Sequence, residues 1–123
     1  MTAVEWQRLE GLGIGLFGLV AGYLVMPEWS LWVWPVLLLW PDVAMLGYLA
    51  GPRVGAAAYN VAHLYALPLL LFALGVLTGM LGLSAIGALW LAHIGVDRAC
   101  GFGLKEPTGF QDTHLGRIGK SGQ

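Results

Sequence analysis

Four ionisable side chains stand inside long apolar runs of this chain: Asp42, His63, His93 and Asp97. In lipid each would cost roughly 2.5–3.5 kcal/mol on insertion scales, which makes them functional candidates. Two imidazoles and two carboxylates are ligands that Zn²⁺ accepts in catalytic sites, and mixed nitrogen and oxygen ligation also suits Mn²⁺ or Fe²⁺. Two aspartates would neutralise one divalent cation, and the cation would relieve their mutual repulsion. His93 and Asp97 are four residues apart; Tyr59, Asn60 and His63 are three and four apart. Each set therefore shares one side of a helix. Tyr48, Tyr59 and Asn60 are the neutral polar neighbours.

Other readings of these residues stay open at this level. Asp42 or Asp97 could pair with Arg53 or Arg98 while His63, His93 and Asn60 bond across helices as structural glue. His63 and His93 could be the two axial ligands of a haem, which leaves both aspartates without a role. A relay of acids and histidines could carry protons or ions. One four-helix protomer is small for that task, so the last reading implies a homo-oligomer.

The elements that must position these groups follow from the hydropathy pattern. The chain has 123 residues, 58% hydrophobic and only 11% charged, with a mean hydropathy of +0.74; soluble domains carry about 25% charged residues. A bilayer core takes about 20 apolar residues per helix. The pattern predicts an all-α fold, one membrane-embedded bundle of four transmembrane helices over 6–26, 29–49, 54–78 and 84–100, with a short tail, 101–123. Pro27-Glu28, Gly51-Pro52-Arg53 and the apolar stretch 79–83 form the turns. Pro68 predicts a kink in the third span. Gly11 with Gly15, and Gly18 with Gly22, repeat at the four-residue spacing that lets helix backbones approach in lipid. Trp29, Trp32 and Trp34 crowd one boundary.

Charge placement sets the expected orientation. With four spans, the N-terminus, the second turn and the tail share one side. That side holds Arg8, Arg53, Arg98, Lys105, Arg117 and Lys120, every Lys and Arg in the chain, against Glu28 on the other. Positive loops stay in the cytoplasm, so both termini are expected there. The first segment carries Glu5, Arg8 and Glu10 without a cationic excess and reads as a retained helix, not a cleaved leader. No basic patch before the tail is large enough for nucleic acid. The single cysteine, Cys100, excludes an intrachain disulfide and reads as a buried thiol. The tail reads as solvated and partly ordered; folded over the mouth of the bundle, it would bring His114 or Asp112 as a further ligand and Arg117 toward an anionic head group.

Depth brings the four ionisable residues together. Asp42 lies about ten residues before the turn at Arg53 and His63 ten after it, so both sit roughly 15 Å or less from that boundary. His93 and Asp97 occupy the same half of the fourth helix. Three helices thus deliver four ionisable groups to one layer.

Three blocks carry a resemblance. They are Pro41-Asp42 through Gly47-Tyr48, Gly51-Pro52-Arg53, Tyr59-Asn60 and His63; then Trp90 to Arg98; then Gly101 to Lys105 followed by Thr113 to Gly119. Together they resemble a family of small bacterial integral membrane proteins, domain-of-unknown-function family 4260. The resemblance implies a bacterial inner-membrane protein and no particular activity. A looser similarity is to bacterial membrane-bound metal-dependent hydrolases, with Pro-Asp near a helix end, a histidine on the next helix and a later His-x-x-x-Asp. That similarity implies His63, His93, Asp97 and Asp42 as ligands. Ala44 stands where a second acid would follow Asp42, and no Thr-His-Ser surrounds His63. The leading functional expectation is metal-dependent hydrolysis of a membrane-associated lipid or other anionic substrate. His63, His93 and Asp97 would bind the metal, Asp42 would be a fourth ligand or general base, and Arg53 or Arg98 would orient an anionic group. The competing class is a non-enzymatic membrane component.

Overall fold

The computed structural model describes residues 1–26 and 28–119; Pro27 of the first turn and Lys120 of the cationic side lie outside the described residues. Helix α1 spans Ala3–Val25, opened by a capping box in which Thr2 and Glu5 bond each other's backbone N–H groups. The second crossing is composite: α2, Val33–Leu39, continues as a 3₁₀ helix over Trp40–Ala50. After Gly51, whose φ of 109° makes the turn, the third crossing is also composite, with α3 over Pro52–Ala62 and α4 over Ala66–Thr78. Helix α5, Leu81–Ala99, is the fourth. The fold is all helical, as the hydropathy pattern predicts. Three of the crossings, Ala3–Val25, Val33–Ala50 and Pro52–Thr78, are long and apolar enough to span a membrane.

Helix α5 differs from those three because it is the core. Eleven of its 19 residues are buried, among them Ala85, Ala88, Leu91 and Ile94. Its 19 residues make about 28 Å, close to the hydrocarbon thickness of a bilayer. His93, Asp97 and Arg98 lower its apolarity, and packing by the other helices makes them tolerable. The outer crossings expose leucines instead, including Leu46, Leu49, Leu70 and Leu77, as expected of surfaces meeting lipid tails.

The glycine spacing on α1 is used against α5. The residues α1 buries are Gly11, Gly15, Gly18, Ala21 and Gly22. A Cβ on Gly18 would lie 2.6 Å from the Ala92 nitrogen and 2.9 Å from its Cα. The two backbones run antiparallel, and Arg8 Nε donates to the Ala99 carbonyl at 3.0 Å where the start of α1 meets the end of α5. In lipid, close backbone approach of this kind is the main adhesive between helices.

The third crossing departs from expectation at its centre. The break lies over residues 63–65, before Pro68. Proline lacks an N–H, and its ring clashes with the carbonyl of residue i−4, here Leu64. The disruption therefore appears one turn upstream of the proline itself. In the second crossing Pro41 sits at the start of the 3₁₀ helix, whose eleven residues far exceed the usual three or four. Non-helical backbone at membrane depth survives only where protein or a polar cavity satisfies it.

Candidate metal centre

The break at residue 63 turns backbone groups toward function. In an α-helix the Tyr59 carbonyl would accept from the His63 N–H. That N–H donates instead to Asn60 O at 3.1 Å, tightening the last turn and releasing Tyr59 O. His63 Nδ1 takes it, at 2.8 Å. The next orphan carbonyls are also met: Trp90 Nε1 donates to Ala62 O at 2.6 Å, and an Arg98 guanidinium nitrogen donates to His63 O at 2.8 Å. The 3₁₀ helix does the same for the other imidazole. In that register the partner of Leu38 O would be Pro41, which has no N–H, and His93 Nδ1 donates to that carbonyl at 2.6 Å.

These contacts fix both ring orientations. A carbonyl oxygen can only accept, so each Nδ1 carries a proton, and in the neutral ring each Nε2 is left with its lone pair. The two Nε2 atoms face one another at 3.1 Å. Asp42 Oδ1 lies 3.3 Å from His63 Nε2 and 3.1 Å from His93 Nε2. Asp97 Oδ2 lies 3.6 and 3.4 Å from the same atoms. The four ligand atoms all fall within 4.8 Å of one another. His63 is wholly buried and His93 nearly so, while the Asp42 side chain is 36% exposed.

With both imidazoles neutral, four lone-pair donors converge on one point, which is an arrangement that suits a cation. Ligands held tetrahedrally about 2.0–2.1 Å from an ion stand about 3.3–3.4 Å apart. The five edges given above bracket that value. Backbone carbonyls behind both imidazoles match the outer partners that metal-binding histidines ordinarily have. The four residues can hold a metal ion. Haem does not fit: axial nitrogens about 2 Å from iron on opposite faces stand about 4 Å apart with a macrocycle between them, and these nitrogens are closer and share their space with two carboxylates.

The remaining expected residues divide. Tyr59 stacks flat on His63, ring centroids 3.7 Å apart, and its hydroxyl donates to Asp97 Oδ2 at 3.4 Å. Asn60 clamps the tail, accepting from Lys105 N at 2.6 Å and donating to Lys105 O at 2.8 Å. Tyr48 packs edge-on to Phe110, with its buried hydroxyl unpartnered among the described residues. Arg98 does not face an anion site. Its guanidinium bonds the carbonyls of His63 and Phe102, bracing the helix break against the tail. Arg53 is exposed in the first turn of α3 and makes none of the cluster's contacts. Neither aspartate forms an arginine pair among the described residues; both meet histidine.

The tail is more ordered than expected. Lys105 and Thr113 pair as an isolated antiparallel bridge, and Lys105, Thr113 and Leu115 are buried. His114 is not a ligand. Its Nδ1 accepts from Leu104 N at 2.8 Å within the tail, and burial, then the Arg98 charge, lower its pKa. Asp112 and Arg117 bond each other at 2.9 Å. Cys100 is exposed, because it follows the last buried turn of α5.

Lys105 is the residue that sequence reasoning missed. It lies outside the apolar spans, so cost in lipid could not flag it; only the clamp by Asn60 brings it inward. Its Nζ sits 3.8 Å from the Phe110 ring centroid and 5.0 Å from that of Tyr59. Burial lowers its pKa, and the Asp97 and Asp42 charges oppose that shift. With Asp42, Tyr59, Asp97 and Phe110 it lines a pocket of about 310 Å³.

A family model described as a domain of unknown function, DUF4260, matches residues 4–118. The chain belongs to the DUF4260 family. In this DUF4260 member the match spans α1 to the tail, so all four cluster residues and Lys105 lie within the family domain. No curated protein and no solved structure matches the chain, and the looser similarity to membrane-bound hydrolases has no match behind it.

Proposed function

We propose that this chain is a metal-dependent hydrolase of a membrane-associated substrate, seated in the bacterial inner membrane with both ends toward the cytoplasm. The observation that carries the proposal is the meeting of two imidazole Nε2 atoms, each on a ring whose Nδ1 is bonded to a backbone carbonyl, with two carboxylate oxygens. Zn²⁺ suits the edge lengths best, with Mn²⁺ or Fe²⁺ next by ligand type. When bound, the ion would lower the pKa of a water and polarise the scissile bond. His63, His93 and Asp97 would hold it. Asp42, the most open of the four, would serve as fourth ligand or general base. Water adds to the ester carbon or phosphorus, the bond to the leaving oxygen breaks, and Asp42 carries the water's proton to that oxygen. Room for substrate beside Asp42 and Asp97 supports chemistry over a sealed structural network. The inside location rests on the gathering of Lys and Arg at one end of the bundle.

Elemental analysis of detergent-purified protein tests the metal, and turnover of chromogenic carboxylic and phosphoric esters tests the reaction. Stoichiometric metal and turnover, both removed by His93→Ala with helicity retained, are the expected results. The 3.1 Å approach of the imidazoles is also a hydrogen-bond length, which favours a second reading, a non-enzymatic polar network holding one extra proton. Metal-free protein, unchanged by chelators, would establish that reading instead.

A further inference from the structure

A second cavity reaches the same cluster from a different side. It measures about 370 Å³ and is lined by Leu19, Leu38, Leu39 and Val96, ending at His93 and Asp97. Its walls come from α1, α2 and α5. It therefore opens on the apolar flank of the bundle, whereas the pocket of Lys105 lies under the tail. Asp42 and Asp97 line both cavities. One lobe is apolar, the other cationic and aromatic, and the cluster stands at their junction.

The charge balance identifies what the cationic lobe lacks. With a divalent ion in place, Asp42 and Asp97 are neutralised by it. Lys105 then has no carboxylate of the described residues in ion-pair distance. It is 5% exposed and held by the Phe110 and Tyr59 rings. A buried cation without a counter-ion is costly, and an anion entering the pocket would supply one.

We infer that the site takes a single amphiphile from the membrane, its anionic head group against Lys105 and its acyl chain in the cavity walled by Leu19, Leu38, Leu39 and Val96. The inference rests on the metal reading, since the ion is what leaves Lys105 unbalanced. Cavities of this size are typical of small-ligand sites. The bond beside the head group then lies at the cluster, so Lys105 selects the substrate by charge and the flank selects it by length.

Native mass spectrometry of the zinc-loaded chain, released from dodecyl maltoside, tests this with dodecyl phosphate, dodecanol and inorganic phosphate as probes. One dodecyl phosphate retained per chain is expected, with dodecanol and inorganic phosphate each bound at least about tenfold more weakly. Lys105→Gln should lose about tenfold toward dodecyl phosphate and Lys105→Arg should keep most of the binding. Leu39→Trp, on an exposed position of short α2, should weaken both dodecyl probes and leave inorganic phosphate unchanged. Zinc-loaded protein that binds dodecanol as well as dodecyl phosphate, or whose binding ignores Lys105→Gln, overturns the inference and leaves the metal centre standing. Protein that takes up no zinc by elemental analysis of the same sample overturns both.

Discussion

The two halves of this bundle solve different problems. Along the α1–α5 seam the helices are regular and small residues bring backbones into contact, with the Arg8–Ala99 hydrogen bond at one end. In the second and third crossings the helices are broken, one into a long 3₁₀ stretch and one at residues 63–65. Each irregularity releases a carbonyl, Leu38 O or Tyr59 O, and each released carbonyl orients one imidazole. The seam uses helical geometry to hold; the broken half departs from it to aim. Stability and site are thus carried by different residues, and they should fail separately.

The largest expected effect is on the seam. Gly18→Leu would force the α1 backbone away from Ala88 and Ala92. It should destabilise the bundle by at least about 3 kcal/mol, the upper end of ordinary overpacking, read as loss of helicity at lower temperature by circular dichroism in detergent. If Gly18→Leu melts like the parent, the seam is not what holds α1. Next is Arg98→Gln, which removes the brace on His63 O and Phe102 O. Metal affinity should fall roughly 10–100-fold, as for other outer partners of a metal site, by competition with a chelating dye. An unchanged affinity would show that the break needs no brace. Smaller again is Asn60→Ala, which frees the tail from α3. About 0.5–1.5 kcal/mol of docking should be lost, seen as faster hydrogen exchange at Leu104 and Lys105 with the helices unaltered.

The smallest effect is a pH response confined to the tail. His114 accepts from Leu104 N and its pKa is lowered by burial. Below the ordinary histidine value of about 6.5 the undocked tail gains a proton that the docked tail resists. Docking is therefore intact above that pH and weakens as pH falls from it toward the lowered value. His114→Gln should flatten that dependence in hydrogen exchange between about pH 7 and 5; a tail equally protected across the range would contradict it.

Much of this was readable from residue types. Uncharged runs and turn residues gave the four crossings, because lipid requires long apolar helices. Equal depth from the Arg53 turn placed Asp42 and His63 in one layer, and their half of the fourth helix added His93 and Asp97. Missing were the features set by backbone irregularity. Pro68 signalled a kink, yet its effect falls on the Leu64 carbonyl, so the break lands beside His63 and makes it a ligand candidate with a fixed ring. Counting back four residues from Pro68 reaches Leu64, inside the break at residues 63–65; from Pro41 the freed carbonyl lies three back, at Leu38. The tail was harder. Lys105, His114 and Arg117 are ordinary in a polar segment, and only the Asn60 clamp and the Lys105–Thr113 bridge decide which of them turns inward.

X-ray absorption at the zinc edge of the loaded protein addresses the centre itself. The structure predicts about four nitrogen and oxygen neighbours near 2.0–2.1 Å, with the multiple-scattering pattern of two imidazoles, and loss of one imidazole in His93→Ala. Zinc bound without imidazole scattering, or no zinc retained at all, would show that these four side chains meet for some reason other than a metal ion.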